Sequence, residues 1–231
     1  MYWLGPILML IFVIFAFRKT KGMYPWTWFQ GKKSGFKAWH FLPKSQILRF
    51  GDGRPVIEGK TLTVSTESVS IRMCSWGMHA SVDLWDALRY APDLILTRVL
   101  VKGSVTCEPD KLVGTSRTCL KIYSDLQPIF VKWALQIIKS KLPRENTTLH
   151  VCLDDLLEMP DFIPMYRTTA GVAGSGTLLE SCLRGICNKV CMPVASMLDW
   201  GDIFNSLIPM TTRKERKQLI QMLREAGVLG L

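Results

Sequence analysis

The chain has 231 residues, 48% of them hydrophobic, and a formal net charge of +10. That composition excludes a disordered tail and suits one ordinary domain with an appendage, or two small domains. The charge is uneven: between positions 18 and 60 ten Lys or Arg stand against Asp52 and Glu58 alone, which points toward anionic surroundings on that side of the chain.

Residues 1–17, MYWLGPILMLIFVIFAF, carry no charged side chain and end against Arg18, Lys19 and Lys21. As a helix the run rises about 26 Å, the short end of what spans a bilayer. A secretory signal has a basic stretch before its apolar run and a small-residue cleavage site after it, and neither is present. The run reads as a retained transmembrane anchor, with the cationic cluster holding the bulk of the chain on the cytoplasmic side. An apolar element buried in a soluble core is the other reading. In the juxtamembrane segment 18–34, Tyr24, Trp26, Trp28 and Phe29 suit the headgroup level. Lys32, Lys33 and then Lys37 add attraction for anionic lipid of about 1 kcal/mol each near the surface.

From 35 to 124 short pieces alternate, as in an α+β domain with a small mixed or antiparallel sheet. FKAWHFL (36–42) reads as a strand and GDGRP (51–55) as a turn. The β-branched stretch 61–75 suggests one or two further strands. WGMHAS (76–81) places a histidine between a strand and an amphipathic helix. Ser81 is the expected N-cap and Asp83 the expected first-turn acid, with Leu84, Trp85 and Leu88 on one face and Pro92 as the stop. LILTRVLVKG (94–103) has apolar residues on both faces and reads as a central strand.

Past 125 the pattern becomes helical. Pro128 fits a first turn, and Ile129, Phe130, Trp133, Ala134, Ile137 and Ile138 recur at helix spacing. A shorter helix is expected at 149–159. Thr177 with Glu180, and Thr212 with Glu215, have capping-box spacing. The last helix is expected to stop at Gly227. The seven cysteines are scattered, as for free thiols in a reducing compartment. Cys182, Cys187 and Cys191 lack paired zinc spacing, so no metal is expected.

The stretch 76–120 also resembles a family of uncharacterised bacteriophage and prophage proteins. The resemblance rests on Gly77, His79, Ala80 and Ser81, then on Ala87 to Pro92, Gly103, and Asp110 to Arg117, and it covers roughly 36–142. It implies a phage or prophage setting and no particular activity. The same order of features is similar to the core of NAD-dependent ADP-ribosyltransferases. That resemblance implies that His40 contacts the cofactor ribose, that His79 takes the place of a nicotinamide-stacking tyrosine, that Ser81 is the small residue following it, and that Glu108 is the catalytic carboxylate.

Other chemistry is sparse. GVAGSGT (171–177) lacks the lysine of a phosphate loop and reads as a flexible join. Asp154 and Asp155 read as a solvated helix face, and no HExxH pair is present. Arg213, Lys214, Arg216, Lys217 and Arg224 on the terminal helix suit anionic lipid, nucleic acid or plain solvent. The sequence therefore predicts a membrane-anchored, non-catalytic interaction module with an unidentified protein partner and no cofactor. The alternatives are an NAD-dependent transferase and a nucleic-acid-binding accessory protein.

Overall fold

A computed structural model describes residues 35–49, 52–65, 71–73, 75–145, 147–158, 178–191, 199–228 and 230. The expected anchor at 1–17, the segment 18–34 with Arg18, Lys19, Lys21, Trp26, Trp28, Lys32 and Lys33, and the join at 171–177 lie outside the described residues. Among the described residues no helix is long and apolar enough to cross a membrane.

The fold is α+β with an antiparallel sheet. Strand β1 (Phe36–Leu42) alternates as expected, burying Phe36, Ala38 and Leu42 on one face and Trp39 and Phe41 on the other. Strands β2 (Thr61–Thr63) and β3 (Met78–Ala80) are short. They pair in series along one edge of β5 (Leu112–Tyr123), while β4 (Ile95–Cys107) lies between β5 and β1. Register shifts between Arg98 and Val99 and between Lys102 and Val105 bend the long β4–β5 ladder, as inserted residues do.

One further contact closes the ladder on itself. Ser81, directly after β3, donates its backbone N–H to the Trp39 carbonyl at 2.9 Å and accepts from the Trp39 N–H at 2.7 Å. Strands β1, β4, β5 and β3 thereby form a ring around Phe36, Ala38, Ala80, Val99, Val101 and Leu112. Closing the ring satisfies strand edges that would otherwise stay unpaired. Gly77 makes the entry possible: its φ is +133°, and a Cβ there would collide with the Val113 side chain.

The structure refines the sequence reading at three points. The material at 61–75 contributes, among its described residues, only Thr61–Thr63 and a bridge from Arg72 to Trp76. Strand β5 was not expected, because its Gly, Ser, Arg and Lys hide the alternation. Ser81 does not cap the next helix, since its backbone is committed to β1. Asp83 is the N-cap instead, accepting from the Trp85 N–H at 2.8 Å, and the helix α1 (Leu84–Leu88) is short.

Helices cover the outer face of the sheet: α2 (Gln127–Lys141), α3 (Thr147–Glu158), α4 (Leu178–Cys191), α5 (Trp200–Leu207) and, after a 3-10 turn at Ile208–Met210, α6 (Arg213–Glu225). The expected stripe on α2 buries Phe130, Val131, Trp133, Ala134, Leu135, Ile137 and Ile138. Phe130 stands edge-on to Phe41 at 5.7 Å and to Phe204 at 6.2 Å between centroids, joining sheet, α2 and α5 in one core. Such ring pairs add about 1 kcal/mol beyond area burial. The Thr212–Glu215 capping box forms as predicted, with the Glu215 N–H on the Thr212 hydroxyl and the Thr212 N–H on the Glu215 carboxylate.

Candidate functional site

Residues that pair across an antiparallel sheet share a face. His40 alternates with Ala38 and Leu42 on β1, and Arg117 on β5 pairs with Val101, which in turn pairs with Phe36. Both side chains therefore lie on the inner face, away from the helices. Toward one end of that face is the apolar filling of the ring. Toward the other is a second cluster of Leu42, Val56, Ile95 and Cys119. His40 and Arg117 both interrupt this apolar surface: Arg117 in register with Val101 and Phe36, its guanidinium reaching β3, and His40 two residues beyond Ala38, next to the Trp39–Ser81 bridge, after which β1 and β3 part and leave a mouth.

Thr97, fully buried opposite His40, donates its hydroxyl to the His40 carbonyl at 2.8 Å and fixes the strand there. The His40 residue is partly exposed, yet its Nδ1 is sealed from solvent and has no hydrogen-bond partner among the described residues. Arg117 is 4% exposed. Its Nη1 donates to the His79 carbonyl at 2.6 Å, so the guanidinium bridges β5 to β3. Among the described residues no carboxylate forms an ion pair with it. Asp52 lies within electrostatic reach but is held by Arg54 through two charge-assisted bonds of 2.6 and 2.7 Å.

The electrostatics follow from this packing. Burial lowers the Arg117 pKa to about 10, partly offset by the electrostatic influence of Cys119 and Asp52. Burial, then the positive field of Arg117, His79 and Arg49, holds His40 well below the usual histidine value. The imidazole is neutral at pH 7 and sits among cations. His79, half-buried on β3, is also lowered by burial, with a hydrogen bond at Gly77 and the charge of Glu108 acting the other way. Cys119 beside Arg117 is pushed by burial up to about 11, so it stays a thiol.

No protein-family model matches the chain, and neither a curated protein nor a solved structure matches it. The structure places the residues singled out from the sequence unequally. His40, His79 and Ser81 gather at the junction of β1 and β3. Glu108 lies in the connection from β4 to β5, exposed, with its carboxylate 3.5 Å from the Lys111 ammonium. It acts on the field at His79 but is not among the groups acting on His40. Arg117 closes the motif that carries the phage-protein resemblance, yet nothing local marks it as buried. A cation at an inward position of an alternating strand was the available signal, and it is readable only once β5 is recognised.

Elsewhere the candidates disperse. Among the described residues no group of three or more His, Cys, Asp or Glu is gathered for a metal ion. Cys182 and Cys187 are buried and form no disulfide among the described residues. On α6, Arg213, Lys214, Lys217 and Arg224 are exposed as expected. Arg216 is not part of that surface: it turns inward over the Trp85 ring and donates to the Thr211 hydroxyl at 2.7 Å and the Ile208 carbonyl at 2.8 Å.

Proposed function

We propose that the chain is a membrane-tethered, non-catalytic interaction module acting in a phage or prophage setting. The tether is the charge-free run 1–17 with Arg18, Lys19 and Lys21 behind it, and the α+β domain does the binding on the cytoplasmic side. The observation that carries the non-catalytic reading is the separation of Glu108 from His40. The carboxylate stands in an exposed turn against Lys111, while the inner face carries Arg117, the neutral His40 and apolar side chains. A glycosidic transfer needs an acid or carboxylate beside the reacting carbon, and among the described residues Glu108 does not supply it beside His40.

Fractionation tests the tether. Full-length protein is expected in the membrane pellet and to stay there through a high-salt wash, whereas a chain starting at Gly31 is released by salt. Full-length protein in the soluble fraction would remove the anchor.

A second reading, an NAD-dependent transferase, is favoured by the meeting of His40, His79 and Ser81 at one junction. Calorimetry with NAD decides it: saturable binding lost in His79→Ala brings the enzyme forward, and no binding by the folded wild type sets it aside.

A further inference from the structure

A buried guanidinium without an ion-pair partner is costly, since removing a charge from water is repaid only by close opposite charge and full hydrogen bonding. Arg117 has neither in full: Nη1 has the His79 carbonyl, and no hydrogen bond from its other nitrogens is found among the described residues. A buried ring nitrogen left unpaired is likewise rare and calls for an explanation. His40 Nδ1 is such an atom. Both lie on the inner face at the same mouth, and Arg117 is the strongest charged neighbour acting on His40, followed by His79 and Arg49.

We infer that this mouth is an anion-binding site, in which Arg117 and His40 together hold a phosphate group of a small molecule. The inference stands apart from the membrane tether and from catalysis. An oxyanion there would supply the counter-charge that Arg117 lacks among the described residues and an acceptor for the His40 imidazole. The fork of an arginine matches the oxygens of a phosphate, and charge-assisted bonds to it are roughly twice as strong as neutral ones. Partial exposure of His40 gives the ligand a way in, and Arg49, exposed on the loop after β1, adds positive field at the entrance. The Arg54–Asp52 pair braces that loop, since the same guanidinium also donates to the Thr63 carbonyl at 2.9 Å. By engaging Asp52, Arg54 keeps an acid that acts on Arg117 from serving as its counter-ion.

The test uses the full chain in a non-ionic detergent, titrated by calorimetry with inorganic pyrophosphate, with ADP and with adenosine. Pyrophosphate and ADP are expected to bind saturably and adenosine not to bind. Arg117→Gln and His40→Gln are each expected to weaken binding by about ten-fold or more, as the loss of a charge-assisted bond does. The double variant Lys214→Gln with Lys217→Gln, on the exposed face of α6, should bind as the wild type does. Equal affinity for pyrophosphate and ADP assigns the site to free phosphate, and tighter ADP assigns it to a nucleotide.

Should the inner-face variants fail to fold, the unaltered protein still decides the matter. The chain has three histidines, so the His40 imidazole resonances are assigned by elimination with His79→Gln and His150→Gln. They are expected to shift on adding pyrophosphate and to report a raised His40 pKa in the bound state. Absence of saturable binding, adenosine binding as well as ADP, resonances of His40 that do not move, or binding lost with the α6 lysines instead of Arg117, each overturns the assignment.

Discussion

The two faces of the sheet are packed on different terms. The outer face meets helices through Trp39, Phe41 and Leu96, in a core that also takes Phe130, Trp133 and Phe204. The inner face holds two small apolar clusters and is interrupted by His40 and Arg117. Continuous apolar packing is the cheaper way to hold a fold together, so the broken face is where the protein accepts a stability cost. A region that tolerates a buried charge without a contacting counter-ion is a better candidate for recognition than one that merely packs well.

Substitutions should separate the two faces. The largest effect belongs to the outer core: Phe130→Ala removes a ring that touches both Phe41 and Phe204, and is expected to lower unfolding free energy by about 3–5 kcal/mol in denaturant titrations. The smallest belongs to the inner face. Arg117→Met keeps the bulk and removes the buried charge, so stability is expected to stay within about 1 kcal/mol of wild type. The same change should abolish pyrophosphate binding. A loss of several kcal/mol in Arg117→Met would show that the guanidinium is a structural bridge to β3 and would erase the contrast.

Between these lies Asp86, on α1 at the outer side. Burial, then the charges of Asp83 and Asp110, raise its pKa to about 6, with Arg89 and Arg216 acting in the opposite direction. A carboxyl that prefers its neutral form in the folded state destabilises the fold once ionised, so the penalty is complete above about pH 6 and vanishes below the unfolded value near 4. The side chain is only half-buried, and solvent screening leaves roughly 1 kcal/mol of the effect. Asp86→Asn is therefore expected to raise the melting temperature by a few degrees at pH 7 and to have no effect at pH 4. A gain that persists at pH 4 would assign it to the helix terminus instead of to the charge.

Much of the framework was legible locally. The alternation of FKAWHFL, the helical stripe from Phe130 to Ile138 and the Thr212–Glu215 box each depend on neighbours within a few positions, and each appears where those neighbours require it. Strand β5 was not legible, because its inward positions hold Arg117 and Gly114 where an alternation scan looks for large apolar residues. The role of Ser81 was also misread: a helix-capping serine is a local inference, and the competing partner, Trp39, is distant in sequence.

The sequence by itself thus determined the class of the fold, most of its helices and the gathering of charge toward the N-terminal side, since propensity, capping and periodicity act over short distances. Only the tertiary structure decided that His40 and Arg117 share an inner face, that β3 closes a ring against β1, and that Glu108 stands outside it. Those facts depend on pairing register between distant strands, where a shift of a single residue would turn every side chain to the opposite face.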